Sequence, residues 1–241
     1  LVEMQIPSSV ELIRSYAFKD CTKLIEVTID LYETEVQDNA FENCVSIENL
    51  NLQTESPMSE INSIELISKI KTINIPKTVT SIESYAFNNF KSITHITIPS
   101  TIKKIGSFVF HNCSSLHSID ILCPIEKFNK KMFIGCSSLK NLSITHAVNS
   151  IEEMSFCGCS SMVFFAVPKS VKSIKESAFK DCYSLEEIII PKSVESIGSN
   201  AFDCCYSLKK IIINSHLKKL SKYMFYNYLK MIKIKLFRKI F

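Results

Sequence analysis

Ten cysteines and five histidines are the side chains of this 241-residue chain best suited to ligate a metal, cross-link it, or act as nucleophile and base. A structural zinc site needs four ligands converging tetrahedrally, and a disulfide needs two cysteines brought face to face. The spacing argues against both. Cys21, Cys44, Cys113, Cys136, Cys159, Cys182 and Cys205 recur at multiples of 23 residues, which makes a line and not a point, so they read as small apolar core residues. Cys157-x-Cys159 and Cys204-Cys205 lack convergent histidines, and Cys123, Cys157 and Cys204 lie outside the column as the residues left for a disulfide. His95, His111, His117, His146 and His216 fall in different columns, and only His95 with Asp120 makes a polar pair. No nucleophile, oxyanion donor, glycine-rich phosphate loop or carboxylate pair stands apart from this pattern. The chain therefore reads as non-catalytic, with no cofactor and no metal. A column of buried thiols is compatible with either redox compartment.

The element that positions these residues is a repeated coil. Phe18, Phe41, Phe87, Phe110, Phe133, Phe156, Phe179, Phe202 and Phe225 keep the same 23-residue beat, with Ile64 in the one vacant place. A fixed period in this range marks a solenoid, in which each unit buries its apolar face against its neighbours. Within each unit the apolar spacing changes from three to two. The period-two part, as in Leu24 to Ile29, is rich in β-branched residues and predicts a strand with Val27 and Ile29 pointing inward. Pro7, Pro76, Pro99, Pro168 and Pro191 end it, and a second extended stretch follows, with Val79 and Ile82 or Val171 and Ile174 entering the core. The Ala-Phe-x-x-Cys stretch is expected to be one turn of helix or 3-10 helix, because residues three apart share a helical face. In the third unit Ser56 and Ser59 occupy aliphatic columns beside Pro57. Residues 54–60 are thus expected to bulge while the strand runs on, with Met58 or Ile61 turning inward.

Written out, the unit is Ile-Pro-x-x-Val-x-x-Ile-x-x-x-Ala-Phe-x-x-Cys-x-x-Leu-x-x-Ile-x-Ile, clearest from Ile6 to Ile29, Ile75 to Ile98, Val167 to Ile190 and Ile190 to Ile213. It resembles the BspA-like leucine-rich repeat family over nearly the whole chain. The resemblance implies an α/β solenoid: a right-handed leucine-rich-repeat superhelix of about ten coils, with a parallel β-sheet along one face and short turns opposite. It also implies a binding or adhesion role on cell surfaces of bacteria and parasitic protists.

Hydrophobic residues at 46% and charged residues at 22% suit a folded globular protein. Four glycines and no Gly/Ser-rich or Pro-rich linker point to a single domain over residues 1–241. Leu1, Met4 and Ile6 match the strand half of a preceding coil, so the chain is expected to be truncated in mid-repeat at its N-terminus, without a signal peptide or capping unit in view. No run of 18 apolar residues is present to span a membrane.

With the inward columns taken by the core, function must be read from the outward strand positions. The first six coils present polar pairs such as Asn49/Asn51 and His95/Thr97, whereas later coils present Phe164, Ala166, Ile189 and Ile212, flanked by Glu187 and Lys210. Stacked laterally, these would make an apolar patch with a charged rim and Phe164 as its aromatic anchor, the usual form of a protein-binding site. The plainer alternative is that β-branched residues simply favour strands, or that a loop covers them. Charge is uneven as well. Residues 1–66 carry thirteen acidic against three basic residues, while the last 33 carry ten basic and no acidic ones. Lys218, Lys219, Lys222, Lys233 and Lys235, with Tyr223, Tyr226 and Tyr228 nearby, are candidates for anion contact. The expected partner is a protein or glycan on a host or neighbouring cell, met at the cell surface or in the extracellular space. The alternatives are a cytoplasmic interaction scaffold, weak contact with an anionic membrane, and head-to-tail self-association of oppositely charged ends. Specific nucleic-acid recognition is not expected, since no such motif accompanies the lysines.

Overall fold

A computed structural model describes the chain except for residues 32, 55, 56, 59–63, 214–216, 222, 225–232 and 237–241; of residues 64, 65, 219, 220 and 233–236 it describes the backbone alone. The period-two segments form strands, and residue n of one strand pairs with residue n plus 23 of the next, as in Val27↔Leu50, Ile96↔Ile119 and Ile188↔Ile211. All the pairings are parallel, which makes the fold a β-solenoid. Glu3–Gln5, Glu26–Ile29, Asn49–Leu52 and Thr72–Asn74 form one sheet. His95–Ile98, Ser118–Ile121 and Asn141–Ile144 form a second, and Phe164–Ala166, Glu187–Ile190, Lys210–Ile213 and Lys233–Leu236 a third. A second ladder of two-residue strands runs beside them. Its longest stretch joins Lys127–Phe128, Ser150–Ile151, Ser173–Ile174, Ser196–Ile197 and Lys219–Leu220. In the irregular coil, Asn49–Leu52 pairs on both sides and Met58 is fully buried, bridged to Ile82. Ser56, Ser59 and Ile61 lie outside the described residues.

Opposite the long strands the expected helical turns do not form. The single helical turn among the described residues is Ile64–Ile67, in the one coil without a phenylalanine on the beat. The reason is a pair of left-handed residues in each of the eight coils built on Phe18, Phe41, Phe87, Phe110, Phe133, Phe156, Phe179 and Phe202, two before and two after the phenylalanine. Phe110 stands between Phe108 (φ 57°) and Asn112 (φ 58°), and Phe156 between Met154 (φ 54°) and Gly158 (φ 77°). Single αL residues interrupt a right-handed helix, and Asn, Asp and Gly tolerate them best. They fill all but one of the described αL places after the phenylalanine: Asp20, Asn43, Asn89, Asn112, Gly135, Gly158 and Asp181, with Cys204 the exception. This geometry turns the phenylalanine N–H toward the next coil. Phe110 donates to the Met132 carbonyl at 2.9 Å and Phe156 to that of Ala178 at 2.8 Å. Coil-to-coil hydrogen bonds thus replace helical ones.

The core is a stack of rings. Successive phenylalanines lie nearly parallel at centroid separations of 5.5 Å (Phe87–Phe110), 5.4 Å (Phe110–Phe133), 5.2 Å (Phe133–Phe156), 5.3 Å (Phe156–Phe179) and 5.6 Å (Phe179–Phe202). The cysteine column lies alongside with a polar task the spacing alone did not reveal. Each thiol of the column after Cys21 donates to the phenylalanine carbonyl of the preceding coil, as in Cys113 to Phe87 at 3.1 Å, Cys136 to Phe110 at 3.0 Å, Cys182 to Phe156 at 3.2 Å and Cys205 to Phe179 at 3.1 Å. A small, weakly donating side chain fits where a carbonyl must be satisfied in an apolar column.

Phe156 is the most connected ring, with Phe128, Phe133, Phe165 and Phe179 at 5.0, 5.2, 5.1 and 5.3 Å. Phe156→Ala should lower unfolding stability by about 3–5 kcal/mol, the usual loss for a buried ring. Val45→Ser, at a side chain 77% exposed, should change little. Urea unfolding followed by far-UV circular dichroism checks both.

Candidate functional site

The outward face of the long strands is polar in the early coils and bonded laterally. Asn51 donates to Glu26 at 2.6 Å, Thr72 donates to Asn49, and Asn74 donates to Asn51. His95 sits between Ser118 and Thr97, at 2.8 and 3.2 Å, with Asp120 at 3.6 Å, so the expected histidine–aspartate pair is a loose contact within a hydroxyl network. Among the described residues no group of three or more His, Cys, Asp or Glu side chains could hold a metal ion.

Past Phe164 the face changes character. The register sets Ala166, Ile189 and Ile212 in one lateral row and Phe164, Glu187 and Lys210 in the row beside it. Phe164 is 51% exposed, Ala166 is exposed, and Ile189 and Ile212 are half-buried. Lys210 reaches Glu187 at 2.9 Å, so the charged rim is an ion pair. The named residues come together as an apolar strip one side chain wide, with Phe164 at its corner.

That corner overlooks an opening which the residue pattern did not announce. The strands Asn141–Ile144 and Phe164–Ala166 are consecutive rungs, yet they belong to different sheets, and no Cα of one lies within 8 Å of a Cα of the other. Paired strands stand about 4.8 Å apart. The other break, between Thr72–Asn74 and His95–Ile98, is narrower and is bridged by the Thr94 N–H on the Lys71 carbonyl at 3.3 Å. The wide opening holds a cavity of about 480 Å³, whose floor includes Leu142, Ile144, Met162 and Phe165 and whose rim includes Asp120 and Phe164. It is confined to the strand face. Ser161 N–H bonds the Ser137 carbonyl at 2.9 Å before it, the Ser170 hydroxyl bonds the Val148 carbonyl at 2.8 Å after it, and Ser150–Ile151 stays paired with Ser173–Ile174 behind it. Phe165 supplies a cause: the same inward column holds Val27, Leu50, Ile96, Ile119, Leu142 and Ile188 elsewhere. A ring at that place, packed on Phe156 and Phe179 at 5.1 Å each, holds its strand away from its neighbour.

The lysine-rich end is less bare than its composition suggests. Lys209, Lys210 and Lys218 meet Glu186, Glu187 and Glu195 at 3.0, 2.9 and 2.9 Å, because the register sets each beside a carboxylate one coil earlier. The expectation of lysines without counterions is corrected for these three. Such exposed pairs contribute little to stability. Lys219, Lys233 and Lys235 are described by backbone alone, and Lys222 lies outside the described residues, as do His216, Tyr226 and Tyr228.

All ten cysteines are free thiols, and eight are buried. Burial pushes the Cys123 thiol up to about 11. Burial, helped by the Asp181 carboxylate, does the same for Cys157, also to about 11. Burial raises Cys136, Cys159 and Cys182 as well. These groups are poor nucleophiles because the thiolate, not the thiol, reacts.

A family model described as the BspA type leucine-rich repeat region matches in six copies, over residues 1–66, 65–183 and 149–240. Among solved structures, a leucine-rich repeat protein from Bacteroides ovatus ATCC 8483 is 24% identical with a TM-score of 0.60, the match covering 97% of this chain and 65% of that one. A leucine-rich repeat protein from Eubacterium ventriosum ATCC 27560 is 21% identical with a TM-score of 0.53, covering 84% of this chain and 64% of that one. The chain thus spans somewhat under two thirds of either relative. No curated protein matches it in sequence.

Cys21 and Cys204, the two half-buried thiols, should react with Ellman's reagent well before the other eight in the native protein and at the same rate as them in denaturant. The raised thiols hold their protons beyond the ordinary value of 9.0, so their contribution to stability is complete below that pH. It should decline as pH rises toward about 11, which thermal unfolding across that range will read.

Proposed function

We propose that this chain, which belongs to the BspA type leucine-rich repeat family, is a non-catalytic binding module that holds a protein partner against the outer face of its long sheet. The observation that carries this reading is the strip formed by Ala166, Ile189 and Ile212, with Phe164 exposed at its corner and the Glu187–Lys210 ion pair on its rim. An exposed apolar row bordered by charge is the surface form that protein partners select. Phe164 is the anchor, since aromatic side chains supply most of the energy where an interface excludes water. Residues 1–241 act in this reading as a single solenoid.

The setting that fits the module best is the cell surface, where the repeat family's adhesive role would bring it against a host or neighbouring cell. A cytoplasmic scaffold would use the same strip. Among the described residues no helix is long and apolar enough to cross a membrane. Anionic membrane or glycan contact through Lys218, Lys219, Lys222, Lys233 and Lys235 is the lesser reading, because the Lys218 ammonium already has Glu195 beside it.

An antibody to the repeat region, applied to intact and then to permeabilised cells, separates the settings. Staining of intact cells is expected; staining only after permeabilisation would replace adhesion by the scaffold. In either setting, Phe164→Ser and Ile189→Ser should weaken capture of the cognate partner at least tenfold, about 1.4 kcal/mol or more. Val163→Ser, at a neighbouring exposed position, should not. Equal capture by all three variants would remove the strip from the interface.

A further inference from the structure

We infer that the opening between Asn141–Ile144 and Phe164–Ala166 is a strand-accepting slot, filled by an extended peptide segment of a protein partner that pairs by its backbone with both edges. This deepens the protein-binding reading and rests on it. In a parallel ladder the N–H and C=O of one residue point to the same side, and that side alternates along the strand. Asn141 and Thr145 donate back to the His117 and Ile121 carbonyls at 3.1 and 3.3 Å, so Leu142 and Ile144 present their amides and carbonyls to the slot. Val167 donates forward to the Ile189 carbonyl at 3.3 Å, so Phe164 and Ala166 face the slot from the other side. Apart from the narrower break between Thr72–Asn74 and His95–Ile98, the equivalent groups of the long strands pair with the adjacent coil; those of these four residues have no partner among the described residues.

The dimensions suit a single strand. Seating one between two edges requires them to stand about 9.6 Å apart, twice the ordinary spacing. The separation exceeds 8 Å, and the ends of the slot are closed by the Ser161 amide on the Ser137 carbonyl and by the Ser170 hydroxyl on the Val148 carbonyl. A bound strand would point alternate side chains at Leu142, Met162 and Phe165 and the others toward Asp120 and Phe164. The occupant is therefore a short segment with small apolar residues at alternate positions, held by main-chain bonds, in the manner of peptides that add a strand to an open sheet edge. Two edges, where an ordinary sheet end offers one, would double the backbone bonds such a segment can make.

Amide hydrogen exchange of the intact chain tests this, with a soluble peptide of alternating threonine and valine flanked by lysines as the probe. Without peptide, the amides of Leu142, Ile144, Phe164 and Ala166 should exchange at least tenfold faster than those of Ile119 and Ile188, which occupy the Leu142 column in closed coils. Slow exchange at all four would overturn the slot. The peptide should protect those four selectively, and its counterpart N-methylated at alternate amides should not. Equal protection by both peptides, or none by either up to the solubility limit, would also overturn it. Phe165→Ile, which gives the column its usual aliphatic side chain, should let the rungs close, slow the four amides and cost at least tenfold in peptide affinity. If that variant folds poorly, Ala166→Pro removes one slot-facing donor at an exposed position and should weaken peptide binding without moving exchange at Ile119. The readouts use this chain and the peptide alone, so their failure leaves the apolar strip as a docking face. Loss of the strip in partner capture would likewise leave the slot standing.

Discussion

Everything in this solenoid depends on one constraint, that residue n must sit beside residue n plus 23. The register lets main-chain donors on three sides of the coil find acceptors in the neighbouring coil: along the long strands, along the two-residue strands, and along the phenylalanine turns. Because the buried amides are satisfied between coils, the chain needs little helix to satisfy them. The same registration stacks Phe110 on Phe133 and Phe133 on Phe156, sets column thiols such as Cys136 under a carbonyl, and brings Lys209, Lys210 and Lys218 to carboxylates one coil back. Core packing, polar satisfaction and surface charge are three readings of a single number.

That is why the columns could be read from residues alone and the exceptions could not. Inward positions such as Val27, Ile119 and Phe156 are fixed by periodicity, which sequence displays directly. The turns look helical in the sequence because a three-residue apolar spacing fits a helix equally well. The deciding signal is the Asn, Asp or Gly two places after every phenylalanine of the beat except Phe202, a backbone preference and not a hydrophobic one. The charge pairing was within reach of the same period, but counting lysines in one segment ignores carboxylates a full coil away. The rows of the outer face, Phe164 with Glu187 and Ala166 with Ile189, could be placed from spacing, because register alone decides which side chains lie together.

The opening beside Phe164 belongs to a different category. It arises where one column member is too large, and the effect of one ring depends on whether its neighbours can yield. Here Phe128 also carries a ring in a column that is aliphatic in most other coils, and both Phe128 and Phe165 press on Phe156. Three aromatic side chains converge there, and the long-strand ladder parts while the other two ladders remain bonded. A close-packed interior transmits such a local excess of volume instead of absorbing it.

The thiol-to-carbonyl column gives the molecule a grammar. Wherever the column holds a cysteine after Cys21, its coil takes an acceptor from its predecessor in the same position and with the same geometry. A gene that loses or duplicates one whole repeat therefore rejoins matching halves, whereas an insertion of any other length leaves a donor facing the wrong side chain. The fold is permissive toward recombination in units of itself, and its history can be written by unequal crossing-over without repacking the core. The coil bearing Phe165 is the one whose excision would erase a surface feature while leaving the scaffold grammatical.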